Sequence, residues 1–268
     1  MTTAHLLRNN LGSAMTGRGM SPNIWGDCPI LSIIEGTVPG VHFFDDFARG
    51  FITPTITTLI NVDGYACFGS AGATITWDDS TGGGIVLTEA TDDESVSMTW
   101  EQHPFWLNSS KGKFWFEARV KLSTVAANHA FVVGMMDTTS LSAAVPVTAT
   151  GAIADANFVG FHRPEANTTA IDASYKADGV TAVEVNSDIG TLVADTYVKL
   201  GMKSDPDDSN KLAFYIDNVK QASTKTLGAA AGTDFPDDIG LAPVIGQTLG
   251  ASASKTITMD WWRAAQLG

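Results

Sequence analysis

The sequence predicts an all-β protein, an antiparallel sandwich of roughly nine strands preceded by an irregular arm. From residue 41 onward, short segments of alternating apolar and polar residues are separated by turn-forming residues. The Ala-rich pieces show no apolar stripe at helical spacing, so helices are expected to be nearly absent. Hydrophobic residues make up 44% of the 268-residue chain and charged residues 17%, which is enough apolar material for a sizeable core.

Residues 1–40 are the predicted arm, because glycine and proline break every periodic run there. The arm nevertheless carries apolar side chains, including the run Ile30–Ile34, that a solvated tail would not carry. Either the sandwich of the same chain or a neighbouring subunit must cover them, and both alternatives remain open. We therefore predict an extended arm over residues 1–40 and a sandwich domain over residues 41–268. The predicted contact residues of the arm are Leu6, Leu7, Arg8, Leu11, Arg18, Ile24, Trp25, Ile33 and Ile34.

The clearest strand is Lys113–Leu122, in which apolar residues alternate with Trp115, Glu117 and Arg119. Because side chains alternate between the two faces of a strand, one face is expected to lie in the core and the other in water. The other predicted strands are Gly84–Glu89, Ser95–Trp100, His129–Asp137, Asn157–Arg163, Ala170–Ala177, Thr196–Lys203, Lys211–Ile216, Val219–Thr224 and Lys255–Arg263.

The late part of the chain carries a resemblance to known folds. Tyr197–Lys203, an acidic loop and Lys211–Val219 resemble the late hairpin of laminin G-like and concanavalin A-like domains, and Asp217-Asn218 is expected to form its two-residue turn. Ile257–Trp262 resembles the closing strand of the same folds, which pairs beside the first strand. The resemblance therefore implies a concanavalin A-like jelly roll in which the closing strand pairs with Val41–Phe47.

The order of Phe43–Phe47 early in the chain, Phe114–Arg119 in the centre and the closing strand last is also similar to that in a group of tailed-bacteriophage virion proteins. The resemblance implies a capsid decoration or cement protein, assembled in the host cytoplasm and carried on the capsid surface. The implied partners are the major capsid protein and further copies of the chain, as a homotrimer held by the arm. No signal peptide is visible in Met1–Asn10, which agrees with this location.

Charge and cysteine content exclude several other classes of protein. The formal net charge is -13, so neither nucleic acid nor an anionic membrane surface is an expected partner. No apolar stretch is long enough to span a bilayer. Cys28 and Cys67 have no zinc-site spacing and are expected to be reduced, buried thiols.

The sequence lacks the residue patterns of the enzymes that share this jelly roll. Glucanases of the laminarinase type carry a Glu-x-Asp-x-Glu strand, which is absent, and Glu117 is instead expected to pair with Arg119. His162-Arg163 is the only pair that resembles a polysaccharide lyase strand. No serine nucleophile elbow, phosphate loop or metallohydrolase His pair is present. The sequence therefore predicts a protein that is not an enzyme and has no catalytic residues.

The remaining candidate sites are a strand face and two acidic loops. Trp115, Glu117 and Arg119 mark either a subunit contact, which we favour, or a ligand groove. The groove gives the alternative function, a carbohydrate-binding module on a phage tail or particle surface. Asp92–Glu94 and Asp205–Asp208 are candidate calcium ligands, but their spacing favours solvated loops, so no metal site or cofactor is predicted.

Overall fold

The computed structural model of the protein describes residues 17–48, 58–70, 72–78, 83–137, 141–180, 184–206, 208–228 and 234–268. Two short helices and sixteen strands lie in this part of the chain. In chain order they are α1 (Pro22–Trp25), α2 (Ile30–Ile34), β1 (Gly40–Asp45), β2 (Ile60–Val62), β3 (Tyr65–Gly69), β4 (Thr74–Trp77), β5 (Ile85–Glu89), β6 (Ser95–Trp100), β7 (Phe114–Leu122), β8 (His129–Met136), β9 (Phe158–Arg163), β10 (Ala170–Lys176), β11 (Glu184–Thr191), β12 (Val198–Asp205), β13 (Lys211–Ile216), β14 (Val219–Thr226), β15 (Ala242–Leu249) and β16 (Lys255–Leu267).

The strands form two antiparallel sheets of eight strands each. Sheet A has the order β14-β13-β12-β7-β16-β5-β4, and β1 also pairs with β16. Sheet B has the order β11-β10-β9-β8-β15-β6-β3-β2. The first half of β16 pairs with β5 and its second half with β1, while β7 runs along its other edge. Sheet A is therefore assembled around β16.

One hydrophobic core fills the space between the sheets. Phe116 and Val120 of β7 and Phe131 and Val133 of β8 are among its fully buried residues. The alternation of apolar residues along each strand places these side chains on the inner face of its sheet. Burial of so many apolar side chains is the main stabilising contribution to the fold.

The predicted fold class is confirmed, since the chain is an antiparallel β-sandwich of the concanavalin A-like jelly-roll kind. The predicted pairing of the opening and closing strands is confirmed by β1 and β16. Asp217 and Asn218 have φ angles of 47° and 70°, as the hairpin turn between β13 and β14 requires.

Several strands were not predicted from the sequence. β15 is fully buried and lies between β6 and β8, yet Pro243 and Gly246 interrupt its apolar pattern. The short strands β3 and β4 contain too few alternating residues to give a signal.

The part of the arm that the structure describes is not extended, which corrects the prediction for these residues. It contains α1, which begins at Pro22, and α2, which lies within the apolar run 30–34. Proline is common in the first turn of a helix because its fixed φ angle suits that position. Among the described residues, no helix is of the length and apolarity needed to cross a membrane.

Candidate functional site

The outer face of sheet A carries the polar residues that the sequence singled out. Phe114, Phe116 and Ala118 of β7 face the core, so Trp115, Glu117 and Arg119 between them point outward. In the register of the sheet, Glu117 lies opposite Gly201 of β12 and Arg263 of β16. This face is the candidate functional site.

Residues 17–35, which we call the cover segment, lie across this face. Ile24, Trp25 and Ile33 are buried in a cluster that includes Trp115 and Tyr215 of sheet A. The Lys199 ammonium donates a hydrogen bond of 2.6 Å to the Gly19 carbonyl. The sequence left open whether the same chain or a neighbouring subunit covers the apolar residues of this segment. In this structure they pack on the sandwich of the same chain.

Gly201 allows the segment to lie close to the sheet. A Cβ atom at this position would come within 2.3 Å of Ile24 Cδ1. We therefore expect Gly201→Val to displace α1 while the sandwich stays folded. Hydrogen exchange should show faster exchange of the Trp25 amide, with Gly246→Ala as a comparison in sheet B. Unchanged protection of residues 21–26 would contradict this prediction.

Glu117 is a buried carboxylate beneath the cover segment. Its Oε2 accepts hydrogen bonds from the Ser21 backbone N–H, at 3.1 Å, and from the Trp25 indole N–H, at 2.8 Å. Its Oε1 has no hydrogen-bond partner in the described part of the chain. Burial raises the pKa of Glu117, and the donors from Ser21 and Trp25 oppose this effect only in part.

Arg263 lies beside Glu117 and is also buried. Its guanidinium carbon is 4.1 Å from the centre of the Phe44 ring, and its Nη1 contacts the Met20 sulfur. Burial lowers the pKa of Arg263 to about 10. Its Nε has no hydrogen-bond partner among the residues described. The interface between segment and sheet therefore contains polar groups that are only partly satisfied.

The carboxylate of Asp27 is bound by three donors at the border of the cover segment. Its Oδ1 is 2.9 Å from Lys203 Nζ and 3.0 Å from the Trp115 indole nitrogen, and its Oδ2 is 3.3 Å from Lys113 Nζ. Burial raises the pKa of Asp27, but the hydrogen bonds from Lys203 and Trp115 outweigh it, so the pKa is lowered. Lys113 is also paired with Asp205, at 2.9 Å. The sheet thus presents a site for an anion, and Asp27 occupies it.

A second polar group, the Tyr197 cluster, consists of Arg18, Arg119, Tyr197 and Asp260. The Arg119 guanidinium lies over the Tyr197 ring, 3.8 Å from its centre, and pairs with the Asp260 carboxylate. Arg18 of the cover segment also binds Asp260, with Nε 3.0 Å from Oδ2. Burial raises the pKa of Asp260, and the two arginines oppose this effect. The ring of Tyr197 is only partly buried, so the cluster is open to solvent on one side.

Basic side chains are concentrated on this face although the chain carries a net charge of -13. They come from the cover segment, β7, β12, β16 and the residue before β7. They are Arg18, Lys113, Arg119, Lys121, Lys199, Lys203 and Arg263. The face is therefore suited to anionic or strongly hydrogen-bonding ligands.

The structure places the predicted site residues as follows. Leu6, Leu7, Arg8 and Leu11 lie outside the described residues. Arg18 pairs with Asp260. The side chains of Ile24, Trp25 and Ile33 are buried against sheet A, and that of Ile34 is partly buried there. Their predicted contact with a capsid or another copy stays a prediction.

Two expectations for β7 are wrong. The face of Trp115 and Glu117 is not wet, because the cover segment buries both side chains completely. Glu117 does not pair with Arg119, which reaches Asp260 on the neighbouring strand instead. Of the three residues of the predicted site, Trp115 and Glu117 are therefore inside the molecule, and only Arg119 reaches its surface.

Sequence reasoning missed Asp27, Asp260 and Tyr197. Each is far from Glu117 in the sequence. The pairing of β7 with β12 and β16 brings Tyr197 and Asp260 to this face, and the docked cover segment brings Asp27 there. A signal was present for Asp260, since a carboxylate within the apolar closing strand is costly unless paired. The register needed to identify its partner was not available from the sequence.

The strand that resembled a lyase, β9, uses its polar residues for structure. Arg163 donates to the carbonyl oxygens of five residues in the loops around it, at distances of 2.7 to 2.8 Å. The ring nitrogen Nε2 of His162 contacts the Gly151 carbonyl at 2.9 Å. Neither group is free to act on a substrate in this arrangement.

The acidic loops form no recognisable metal site in the described ranges, where no group of three or more His, Cys, Asp or Glu could hold a metal ion. Of the candidate calcium ligands, Asp205 pairs with Lys113 and Asp208 with Lys220, and Asp207 lies outside the described residues. Cys28 and Cys67 are free thiols.

Comparison with solved structures defines the class of fold. An endo-1,3-β-glucanase from Streptomyces sioyaensis is 11% identical and has a TM-score of 0.57, over 85% of this chain and 97% of that chain. The carbohydrate recognition domain of Emp47p is 11% identical with a TM-score of 0.53, over 86% and 95%. A protein of unknown function from Shewanella oneidensis MR-1 is 13% identical with a TM-score of 0.52, over 89% and 94%. No family model matches the sequence, and no curated protein matches it.

These similarities show that the chain has a concanavalin A-like fold of the kind found in lectins and glucanases. At such low sequence identity they show the fold alone. They also correct the prediction that the protein is not an enzyme, because a glucanase has this fold over nearly its whole length. The absence of a Glu-x-Asp-x-Glu strand excludes only the carboxylate arrangement of laminarinase-type glucanases. It does not exclude other enzymes with this fold.

Proposed function

We propose that the protein binds carbohydrate, at the Tyr197 cluster on the outer face of sheet A. The observation that carries the proposal is the contact of two partly exposed side chains, Arg119 and Tyr197, above the buried Asp260 carboxylate. The carbohydrate recognition domain of Emp47p supports the choice of ligand, since it has the same fold.

The chemistry of the cluster suits a sugar. A sugar hydroxyl accepts hydrogen bonds, so a guanidinium offers it a matching donor. An aromatic ring offers an apolar surface for the C–H groups of a pyranose. Arg119, whose side chain is 13% exposed, supplies a donor, and Tyr197 supplies the ring. The buried Asp260 carboxylate, bound by Arg18 and Arg119, holds the donor in place.

The cluster is also held rigidly, which reduces the entropic cost of binding. Arg119 is fixed by the Tyr197 ring on one side and by Asp260 on the other. Asp260 is fixed in turn by Arg18, so the polar groups do not need to be ordered when a ligand arrives.

Titration with neutral and acidic oligosaccharides selected on a glycan array tests the proposal. We expect Tyr197→Ala to weaken binding by about tenfold, because it removes the ring and frees Arg119. Lys225→Ala is the matched control, since Lys225 lies 4.5 Å from the centre of the Tyr175 ring elsewhere in the fold. Absence of binding to every glycan tested, or full affinity in Tyr197→Ala, would overturn the proposal.

A further inference from the structure

The three donors around Asp27 have the properties of a built anion site. Trp115 is fully buried, yet its indole N–H points at the Asp27 carboxylate. Lys113 and Lys203 are mostly buried on either side, with exposed fractions of 22% and 15%, while Asp27 itself is 40% exposed. The donors are therefore fixed on the sheet, and the carboxylate that they bind lies at the solvent boundary.

The group that fills this site belongs to the cover segment and not to the sheet. Asp27 follows Gly26, the C-cap residue of α1, and it reaches the site only because the segment is docked. Other polar contacts of the segment are incomplete: Glu117 Oε1 and Arg263 Nε lack hydrogen-bond partners in the portion of the chain described. Unsatisfied buried groups reduce the stability of a packed interface, so the docked segment is held less firmly than its apolar contacts alone would suggest.

We propose that Lys113, Lys203 and the Trp115 indole form a binding site for the carboxylate of an acidic sugar, and that Asp27 occupies this site as an intramolecular competitor. The ligand is a uronic acid residue within an oligosaccharide. The choice of a sugar rests on the proposed function, while the choice of an anion rests on the three donors alone.

A uronate carboxylate has the same geometry as the Asp27 side chain, so it can accept the same three hydrogen bonds. The exposed side of Asp27 gives it a path of approach. Because the cover segment and the sheet belong to one chain, Asp27 competes with a free ligand at a high effective concentration. The apparent affinity for the ligand is therefore lower than its intrinsic affinity, in proportion to the fraction of molecules in which Asp27 has left the site. Binding of the ligand and docking of the segment are thus mutually exclusive at this position.

Trigalacturonate, with galactotriose as the neutral comparison, serves as the probe. We expect Asp27→Ala to bind trigalacturonate about fivefold more tightly than the unaltered protein and to leave binding of galactotriose unchanged. Asp27→Ala combined with Lys203→Met should lose this gain, because one of the two ammonium groups is removed. Asp208→Ala is the matched control, since it also removes one negative charge from an ion pair of sheet A, with Lys220.

Hydrogen exchange separates displacement of the segment from a general effect of charge. In the unaltered protein, saturating trigalacturonate should increase exchange of residues 21–35 and leave exchange of β1 unchanged. The inference would be overturned if Asp27→Ala and Asp208→Ala gained the same affinity for trigalacturonate. It would also be overturned if the cover segment stayed as protected from hydrogen exchange with the ligand bound as without it. Binding of neutral glycans that depends on Tyr197 would in that case leave the proposed function in place, whereas no sugar binding by any variant would refute both.

Discussion

Replacing Arg163 by methionine is expected to lower the free energy of unfolding by about 3 to 5 kcal/mol, because several buried or partly buried carbonyl oxygens lose a charged donor and each buried unsatisfied acceptor costs about 1 to 3 kcal/mol. The guanidinium contacts the carbonyl oxygens of Val125, Ala126, His129, Asn167 and Thr168. Methionine fills much of the space but leaves these acceptors without a donor.

Urea unfolding and thermal melting measure this effect. For a chain of this size the melting temperature should fall by roughly 10 °C. Arg163→Lys is the informative second variant, because one ammonium group cannot reach all five oxygens and should recover only part of the loss. Lys220→Ala, which removes an exposed ion pair of 3.5 Å, should change stability by less than about 0.5 kcal/mol. Stability in Arg163→Met equal to that of this control would contradict the prediction.

The second large effect on the free energy of unfolding is expected from replacing Glu117. A comparison of two variants separates the loss of its charge from the loss of its hydrogen bonds. Glu117→Gln keeps an oxygen that accepts from the Ser21 N–H and the Trp25 indole N–H, and it removes the buried charge. Glu117→Leu leaves both donors unpaired. We therefore expect the leucine variant to be less stable than the glutamine variant by about 2 to 4 kcal/mol at neutral pH.

The pH dependence of this difference follows from the raised pKa of Glu117. A carboxyl whose pKa is higher in the folded protein than in the unfolded chain stabilises the fold most when protonated, and this contribution falls as the pH rises from about 4.5 toward the folded pKa. Arg263 and Lys199 also face this carboxyl. The unaltered protein should therefore lose stability relative to Glu117→Gln across that window in pH-dependent urea titrations. Parallel curves would show that Glu117 does not titrate in this way.

The fold was largely predictable from the sequence because its strongest signals are local. Alternation along β7 predicted the central strand and its buried face, and the resemblance of Ile257–Trp262 to the closing strand of concanavalin A-like domains implied its pairing with β1. β15 could not be predicted in this way, since a strand that is buried on both faces does not alternate, and Pro243 and Gly246 argue against a strand locally.

The candidate site was predictable only in part. Periodicity placed Trp115, Glu117 and Arg119 on one face, but exposure of that face depends on what packs against it. The apolar residues of the arm indicated that a covering surface was needed, yet composition cannot distinguish the same chain from a neighbour. The partners of Arg119 and Asp27 depend on strand register and on the path of the cover segment, which are set by tertiary packing.

The pairing of β1 with β16 also bears on how the chain folds. Gly40 pairs with Leu267, so the opening strand can join sheet A only when the closing strand is in place. Contacts between residues so distant in sequence require closure of a very long loop, which slows folding. The cover segment binds a surface built from β7, β12, β13 and β16, and it can dock only after that surface has formed. Its docking is therefore a late event in folding, and it can be reversed without unfolding that surface.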